Sequence, residues 1–366
     1  MSEPIKQHYV PRSYLKNFAE CNKKKKCFVD VYYKRDDVIR QNIDTKTICY
    51  QKHLYTLQSE DDKNKYDLEL YYANNVDAEF QNIYRLLIDK KRSILSKEEK
   101  LKILYVCLSF YFRTPIHLNH SNSFTDDLFE RLKLLADDEG IIKTSMFGGD
   151  KVNVEELDEI KQKSKEDAKT KFDIEHLQKW FDFVQHKYEC TINVIEIQDK
   201  GAYLITSDNP VMIREYRTNQ FCGLFNPNNV ITMPLDSKHF LEIHPNTVAN
   251  EEYEIQRLTH DTDFVFTTNA MTEQNADNLL IGKKNTIDFH FKLKEKYEDA
   301  ENGQKFLNKA KFKVESLQTF FNIVREKGIK SGESVKQLKK MSSHEHFKND
   351  KQIEGLINLF KNSGIW

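Results

Sequence analysis

Glycine and proline are scarce in this chain of 366 residues, which contains only 11 glycines and 7 prolines. Together they make up about 5% of the chain, where average usage would give roughly 12%. Neither G-x-x-x-x-G-K nor G-x-G-x-x-G occurs in the sequence. The standard phosphate-binding loops depend on these glycines, so the nucleotide-binding motifs built on them are excluded.

The chain also has no long apolar segment. The longest nearly apolar run, from Ile103 to Phe112, is about half of the ~20 residues that a membrane-spanning helix needs. The first ten residues, MSEPIKQHYV, do not contain the apolar core of a secretory signal. We therefore predict a soluble, cytoplasmic protein without a membrane partner.

The six cysteines contain no C-x-x-C pair, and they lie at positions 21, 27, 49, 107, 190 and 222. Paired cysteines at short spacing are the usual signature of a zinc site or of a disulfide-rich scaffold. The sequence therefore predicts neither a cysteine-based zinc site nor a disulfide framework.

Charged and aromatic residues are abundant. The chain has 56 Lys and Arg, 57 Asp and Glu, 24 Phe and 17 Tyr, a composition that is typical of a folded protein. The C-terminal stretch 283–366 is basic, with 18 Lys and Arg against 11 Asp and Glu, but 17 of those 18 are lysine. Because bidentate phosphate recognition favours arginine, a solvated helical surface is the preferred interpretation over a nucleic-acid or acidic-partner face.

The patterning predicts a mainly helical α+β fold. Residues 28–39 resemble an N-terminal β-hairpin, and Ser96 and Glu99 form a capping box before an apolar helix that ends at Arg113-Thr114-Pro115. A small, mostly antiparallel sheet is expected in the 190–291 region. We predict a core domain at 1–285 and a helical, lysine-rich extension at 286–366.

Within the 190–291 region, alternating and β-branched residues predict individual strands. The clearest are 190–198, 230–233 and 240–243, and we also expect strands at 264–268 and 287–291. A helix near 273–281 is predicted between the last two.

The first candidate functional segment is His8-Tyr9-Val10-Pro11-Arg12-x-Tyr14. A histidine, an arginine and tyrosines in a segment fixed by proline can supply a general acid or base and an anion clamp. The alternative is an N-terminal segment docked by its aromatic side chains. We predict His8 as catalytic, with Arg12 and Tyr14 in substrate binding.

Four further polar residues lie at the ends or edges of apolar elements. Arg113 ends the predicted buried helix, where it either complements the helix dipole or binds an anion. Asp208 and Asn209 precede Pro210 at the end of a strand, where a carboxylate suits a metal ligand or a base and an Asx turn is the alternative. Glu79 borders an apolar helix face and is the candidate for a second carboxylate beside Asp208. The alternative interpretation is that Glu79 is a solvated side chain without a functional role.

These segments in combination resemble the family known as domain of unknown function 4238. The resemblance covers about residues 5–285 and rests on 8–18, Tyr55-Thr56, Glu79-Phe80, Phe112–Pro115, Thr206–Val211, Pro234-Leu235 and Asn269. It implies membership of a largely bacterial, intracellular family and no particular activity. It also favours the hypothesis that one site contains His8, Arg12, Arg113, Asp208 and Asn209.

The leading hypothesis is a hydrolase acting on a phosphate-containing substrate, such as nucleic acid or a phosphorylated small molecule. His8 would be the acid or base, Arg113 and Arg12 would bind the phosphate with Asn209 and Tyr14 near them, and Asp208 with Glu79 would hold Mg²⁺ or orient water. The alternative hypothesis is a non-catalytic binding or interaction module whose motifs form a buried polar network. Small-ligand sensing is a third hypothesis that these residues do not separate from the others.

Overall fold

The computed structural model describes residues 5–57, 64–143, 151–216, 218–245, 253–299, 301 and 303–305. The chain divides into two compact units, Met1–Phe289 and His290–Trp366. Residues 306–366 of the helical extension predicted at 286–366 lie outside the described residues. The proposed boundary at residue 285 stays a prediction.

Most helices of the described chain lie in its first half. In chain order the helices are α1 (Arg12–Leu15), α2 (Asp67–Tyr72), α3 (Phe80–Ile88), α4 (Lys97–Phe112), α5 (Ile116–Lys133), α6 (Leu157–His186), α7 (Thr262–Asn275) and α8 (Thr286–Glu298). A π-helical turn, Ala73–Asp77, separates α2 from α3.

The strands are short and belong to several sheets. They are β1 (Lys6–His8), β2 (Glu20–Cys21), β3 (Cys27–Tyr33), β4 (Val38–Asp44), β5 (Tyr50–Lys52), β6 (Ile141–Lys143), β7 (Lys151–Asn153), β8 (Thr191–Ile197), β9 (Thr206–Ser207), β10 (Met212–Glu215), β11 (Asn229–Pro234), β12 (His239–His244), β13 (Ile255–His260) and β14 (Leu279–Gly282). One five-stranded sheet has the order β10-β11-β12-β8-β13, and it is antiparallel except for the parallel pair β8–β13. The chain is thus a mixed α+β protein with a mostly antiparallel sheet in the 190–291 region, as predicted.

A second sheet joins the two ends of the first unit. Its order is β2-β3-β14-β9, with β4 also paired to β3. The hairpin predicted at 28–39 is present as β3 and β4. Because β14 lies between β3 and β9, this sheet brings the 206–209 segment next to strands from the N-terminal region.

The predicted central helix is α4. The Ser96 side chain accepts from the backbone N–H of Glu99, whose carboxylate in turn accepts from the Ser96 N–H, so the capping box is formed. Buried residues occur on every side of the helix, including Ile103, Leu104 and Phe110. A helix that is apolar nearly all round has to be enclosed by other elements, and α4 contacts both α3 and α6.

Three of the predicted elements near residue 270 are wrong. Residues 264–268 lie in α7, residues 287–291 lie in α8, and the helix expected near 273–281 gives way to strand β14. Asp261 caps α7, and the buried residues of this helix follow a helical spacing. Its β-branched and aromatic residues thus favoured a strand locally, and packing of one helical face decided otherwise.

One cysteine pair is bonded, which the sequence analysis did not predict. Cys21 and Cys27 form a disulfide. They are directly opposite each other on β2 and β3, so the hairpin brings the two sulfurs together. The spacing of Cys21 and Cys27 matches no metal or redox motif, so the sequence did not indicate this disulfide.

No helix in the described ranges is both long and apolar enough to cross a bilayer.

Candidate functional site

Arg113 follows the last residue of α4 and is almost completely buried, with 1% of its surface exposed. Its Nη1 donates to Asp77 Oδ1 at 2.6 Å and its Nη2 donates to the backbone carbonyl of His8 at 2.6 Å. The guanidinium also lies 4.4 Å from the ring centre of Tyr72. These contacts join the end of the core helix to the N-terminal motif and to the π-helical turn.

The charge of Arg113 is retained despite its burial. Burial alone would lower the pKa of the guanidinium, but Asp77, Tyr55 and Tyr72 raise it above its ordinary value. Asp77 is the partner that matters most, since it supplies both the ion pair and a hydrogen bond. Arg113 is therefore a paired cation.

Asp77, and not Glu79, is the carboxylate that reaches Arg113. The N–H of Ala78 bonds to the carbonyl of Ala73, five residues earlier, which is the π-helical pattern. This wider turn changes the phase between α2 and α3, so spacing counted along a regular helix does not indicate which acid faces inward. Glu79 precedes α3 half-buried and makes no capping hydrogen bond with its side chain.

His8 is half-buried beside two arginines. Burial, followed by the charges of Arg12 and Arg113, lowers the pKa of His8 to about 4, against a backbone contact with Lys46 that raises it. Its Nε2 is buried without a hydrogen-bond partner among the described residues. A pKa of about 4 leaves the ring neutral at pH 7, so one of its two nitrogens carries a lone pair.

Glu69 is a further acidic residue at this cluster that the sequence analysis did not select. Burial raises the pKa of Glu69 to about 7, with Arg113 opposing the shift and Asp77 adding to it. Its Oε2 is buried and has no hydrogen-bond partner in the described chain. A carboxyl group with this pKa changes protonation near neutral pH, where an acid or base is most effective.

Four polar atoms of Arg113 and of the residues that act on it or on His8 are thus unpaired. They are His8 Nε2, Arg12 Nε, Glu69 Oε2 and Arg113 Nε, all buried without a hydrogen-bond partner among the described residues. Arg12 also forms no ion pair there, although Arg113 has Asp77. Proteins hydrogen-bond most of their buried polar atoms, so a local group of unpaired ones is a feature of functional sites. We call His8, Arg12, Glu69, Asp77 and Arg113 the Arg113 cluster.

Asp208 lies in a different environment. Its carboxylate accepts three backbone N–H groups, from Asp277 at 3.0 Å, Asn278 at 2.8 Å and Leu279 at 3.0 Å. Burial raises the pKa of Asp208 to about 6, and these hydrogen bonds oppose the shift. With 3% of its surface exposed, Asp208 fixes the loop that leads into β14.

Asn209 and Tyr14 are also engaged within the protein. Asn209 Nδ2 donates to the carbonyl of Asn275, and Asn275 Nδ2 donates back to the carbonyl of Asn209. The hydroxyl of Tyr14 lies 2.6 Å from Thr206 Oγ1 and donates to the carbonyl of Pro234 at 2.8 Å. These bonds connect α1 and α7 to the segments around β9 and β11.

The predicted metal pair is not assembled by the described residues. They contain no group of three or more His, Cys, Asp or Glu side chains placed to hold a metal ion. Both oxygens of Asp208 already accept backbone N–H groups, and Glu79 is on another element. This donor set does not fit Mg²⁺, so no step below is assigned to a metal.

The structure therefore separates the predicted residues into two groups. His8, Arg12 and Arg113 come together, joined by Asp77 and Glu69, while Asp208, Asn209 and Tyr14 belong to fully bonded contacts between elements. Asp77 could not be selected from the sequence, because the π-helical turn that contains it is not visible in the sequence pattern.

The sequence model of a family described as "Protein of unknown function (DUF4238)" matches residues 6–286. The chain belongs to this family. The match includes both the Arg113 cluster and the Asp208 loop. Comparison with the curated proteins and with the solved structures finds no match. Family membership thus assigns no activity, and the function has to be argued from the site.

Proposed function

We propose that the protein is a hydrolase of phosphate-containing substrates and that its reactive groups belong to the Arg113 cluster. The observation that supports this proposal most directly is that four buried atoms of the cluster have no hydrogen-bond partner in the described part of the chain. These atoms come from segments that are far apart in the sequence, as expected for a site assembled by folding.

Arg12 is the phosphate-binding residue in this proposal. Arg113 is neutralised by Asp77 at 2.6 Å, whereas Arg12 has no ion pair among the described residues. Its half-buried guanidinium lies close enough to His8 to lower the pKa of the imidazole. A planar guanidinium can bind two phosphate oxygens at once, and removal from water strengthens that contact.

Glu69 and His8 divide the proton transfers. With a pKa of about 7, Glu69 is present in both protonation states at neutral pH and can take a proton from water or give one to a leaving group. The lone pair on His8 Nε2 orients the attacking water by accepting its hydrogen bond. Two titratable groups whose pKa values are shifted in opposite directions are a recurring feature of acid–base sites.

Hydrolysis of bis(4-nitrophenyl) phosphate and of 4-nitrophenyl phosphate tests this proposal. We expect Glu69→Gln and His8→Ala each to lower kcat about 10²- to 10⁴-fold without a large change in melting temperature. Glu98→Gln, which removes an exposed carboxylate on α4, is the matched control. Glu79→Gln is measured for comparison, because Glu79 is the acid indicated by the sequence and Glu69 is the acid indicated by the structure.

Two results would contradict the proposal. One is an absence of turnover of both substrates by the unaltered chain. The other is full activity of Glu69→Gln and His8→Ala.

A non-catalytic binding module is the second candidate, and it is favoured by the Asp208 loop. There every polar group selected from the sequence is bonded to another part of the protein. If the Arg113 cluster is of the same kind, Glu69→Gln and His8→Ala will lower the melting temperature and the unaltered chain will show no turnover.

A further inference from the structure

The ribbon formed by β1 and β5 borders the Arg113 cluster, because β1 ends at His8. The two strands are antiparallel, with Lys6 opposite Lys52 and His8 opposite Tyr50. Directly opposed residues in a ladder lie on the same face, and so do residues two apart along a strand. Lys6, His8, Tyr50 and Lys52 therefore share one face, which we call the ribbon face.

The opposite face of the ribbon belongs to the interior. Gln7 is completely buried, and its amide oxygen accepts from the N–H of Tyr55 while its amide nitrogen donates to Thr56. Gln51, its ladder partner, donates to Asn119. The side chains of the ribbon face are consequently fixed toward the other side.

Two lysines oppose each other directly on the ribbon face. Like charges at such positions destabilise a ladder. Lys6 and Lys52 are both exposed, and neither forms an ion pair with a carboxylate of the described residues. Lys46 is also exposed, and its carbonyl contacts His8. The positive charge next to His8 is thus uncompensated within the described chain, and a polyanion is the partner that complements it.

Tyr50 adds an aromatic group between the lysines. Its ring centre lies 5.7 Å from that of His8, and the Lys6 ammonium lies 4.6 Å from it. Tyr50 is half-buried, so the residue is partly exposed on this ribbon. Lysines that follow a phosphate backbone, combined with an aromatic ring on which a base stacks, are the common elements of single-strand binding.

We propose that the ribbon face binds single-stranded nucleic acid, with phosphates at Lys6 and Lys52 and a base against Tyr50. This inference rests on the proposed function, since it names the substrate class of that hydrolase. A strand that lies along β1 leads toward His8 and Arg12, which are the half-buried members of the cluster nearest the ribbon.

Fluorescence anisotropy with labelled oligothymidylate and oligouridylate of about 20 nucleotides tests the inference. Affinity is measured for the full chain across a series of KCl concentrations. Lys6→Gln/Lys52→Gln should reduce the slope of log K against log [KCl] by about 1.4, because about 0.7 is lost for each phosphate contact. Tyr50→Leu should weaken binding about tenfold and leave the slope unchanged.

Lys23→Gln/Lys24→Gln is the matched control, since these lysines are exposed in the loop between β2 and β3. An equal loss of slope in the control pair, or no loss in Lys6→Gln/Lys52→Gln, would overturn the inference. Equal affinity for heparin with no effect of Tyr50→Leu would also overturn it, because the face would then bind any polyanion. Melting temperatures of all variants show whether each remains folded.

The two proposals fail in different ways. If the unaltered chain hydrolyses bis(4-nitrophenyl) phosphate and binds neither oligonucleotide, the ribbon-face inference is wrong and the proposed function stands. If it binds through Lys6 and Lys52 and hydrolyses no phosphoester, the proposed function is wrong and the binding face stands.

Discussion

The Asp208 loop and the Arg113 cluster look alike in sequence and differ in structure. Each contains a polar residue at the end of an apolar element, next to a proline. In the loop, three backbone N–H groups engage the Asp208 carboxylate. In the cluster, four buried atoms from His8, Arg12, Glu69 and Arg113 have no hydrogen-bond partner among the described residues.

This difference shows which polar residues maintain the fold and which are available for chemistry. A buried carboxylate whose bonds are all made within the protein lowers the energy of one loop conformation. A buried group without a bond raises the energy of the folded state, and it is retained where a ligand or a reaction uses it. The predictions below test this assignment through stability.

The largest effect is expected at Asp208. Asp208→Ala leaves three N–H groups, one of them fully buried, without their acceptor and should lower the free energy of unfolding by about 3–4 kcal/mol. Urea unfolding followed by circular dichroism measures the change. Asp36→Ala, at an exposed position in the turn between β3 and β4, is the control and should change stability by less than about 0.5 kcal/mol. A midpoint for Asp208→Ala equal to that of the control would mean that the loop does not depend on this carboxylate.

An intermediate effect, dependent on pH, is expected at Glu69. The pKa of Glu69 in the folded state is about 7, above its ordinary value of 4.5. Between these pH values the folded state binds more protons than the unfolded state, so the contribution of Glu69 to stability decreases as pH rises from 4.5 to 7.

Glu69→Gln removes this dependence. Relative to the unaltered chain, the free energy of unfolding of the variant should rise by about 1 kcal/mol between pH 4.5 and 7. This value is reduced for the partial exposure of Glu69 to solvent. Urea midpoints measured at several pH values test this expectation. A difference that is constant with pH would show that the carboxyl group titrates normally.

The smallest stability effect is expected at Arg12. Because its guanidinium has no ion pair among the described residues, Arg12→Leu should change the free energy of unfolding by less than about 0.5 kcal/mol. The same variant should raise the pKa of His8 from about 4, while burial keeps that pKa below 6.5. Proton NMR titration of the His8 ring measures this shift, and Lys16→Leu is the control for loss of an exposed charge on the same segment. A large loss of stability would place Arg12 with Asp208 as a structural residue.

Most of the fold could be predicted because its signals are local. The capping box at Ser96 and the proline after Thr114 determine where α4 begins and ends. β-Branched and aromatic residues around the polar turn in 28–39 identify β3 and β4, and alternation in 190–198 identifies β8. The elements between 264 and 291 were wrong because short apolar stretches fit both periods, and their packing partners decided between helix and strand.

The site was predicted only in part. His8 and Arg12 were selected as polar residues of a proline-fixed segment and Arg113 as the end of an apolar helix, and the structure brings them together. Glu79 was selected because it borders an apolar helix face, whereas Asp77, which pairs with Arg113, lies in the π-helical turn before that helix. Glu69 was not selected, since only burial beside Arg113 distinguishes it from other helical glutamates.

The sequence by itself determined the fold class, the central helix, the N-terminal hairpin and the segments that carry polar motifs. These follow from periodicity, capping residues and proline, which act within a few residues of chain. Only the tertiary structure decided which motif residues are bonded and which are not. The partners of Arg113 and Asp208 lie about 36 and 70 positions away along the chain, and folding alone sets such distances.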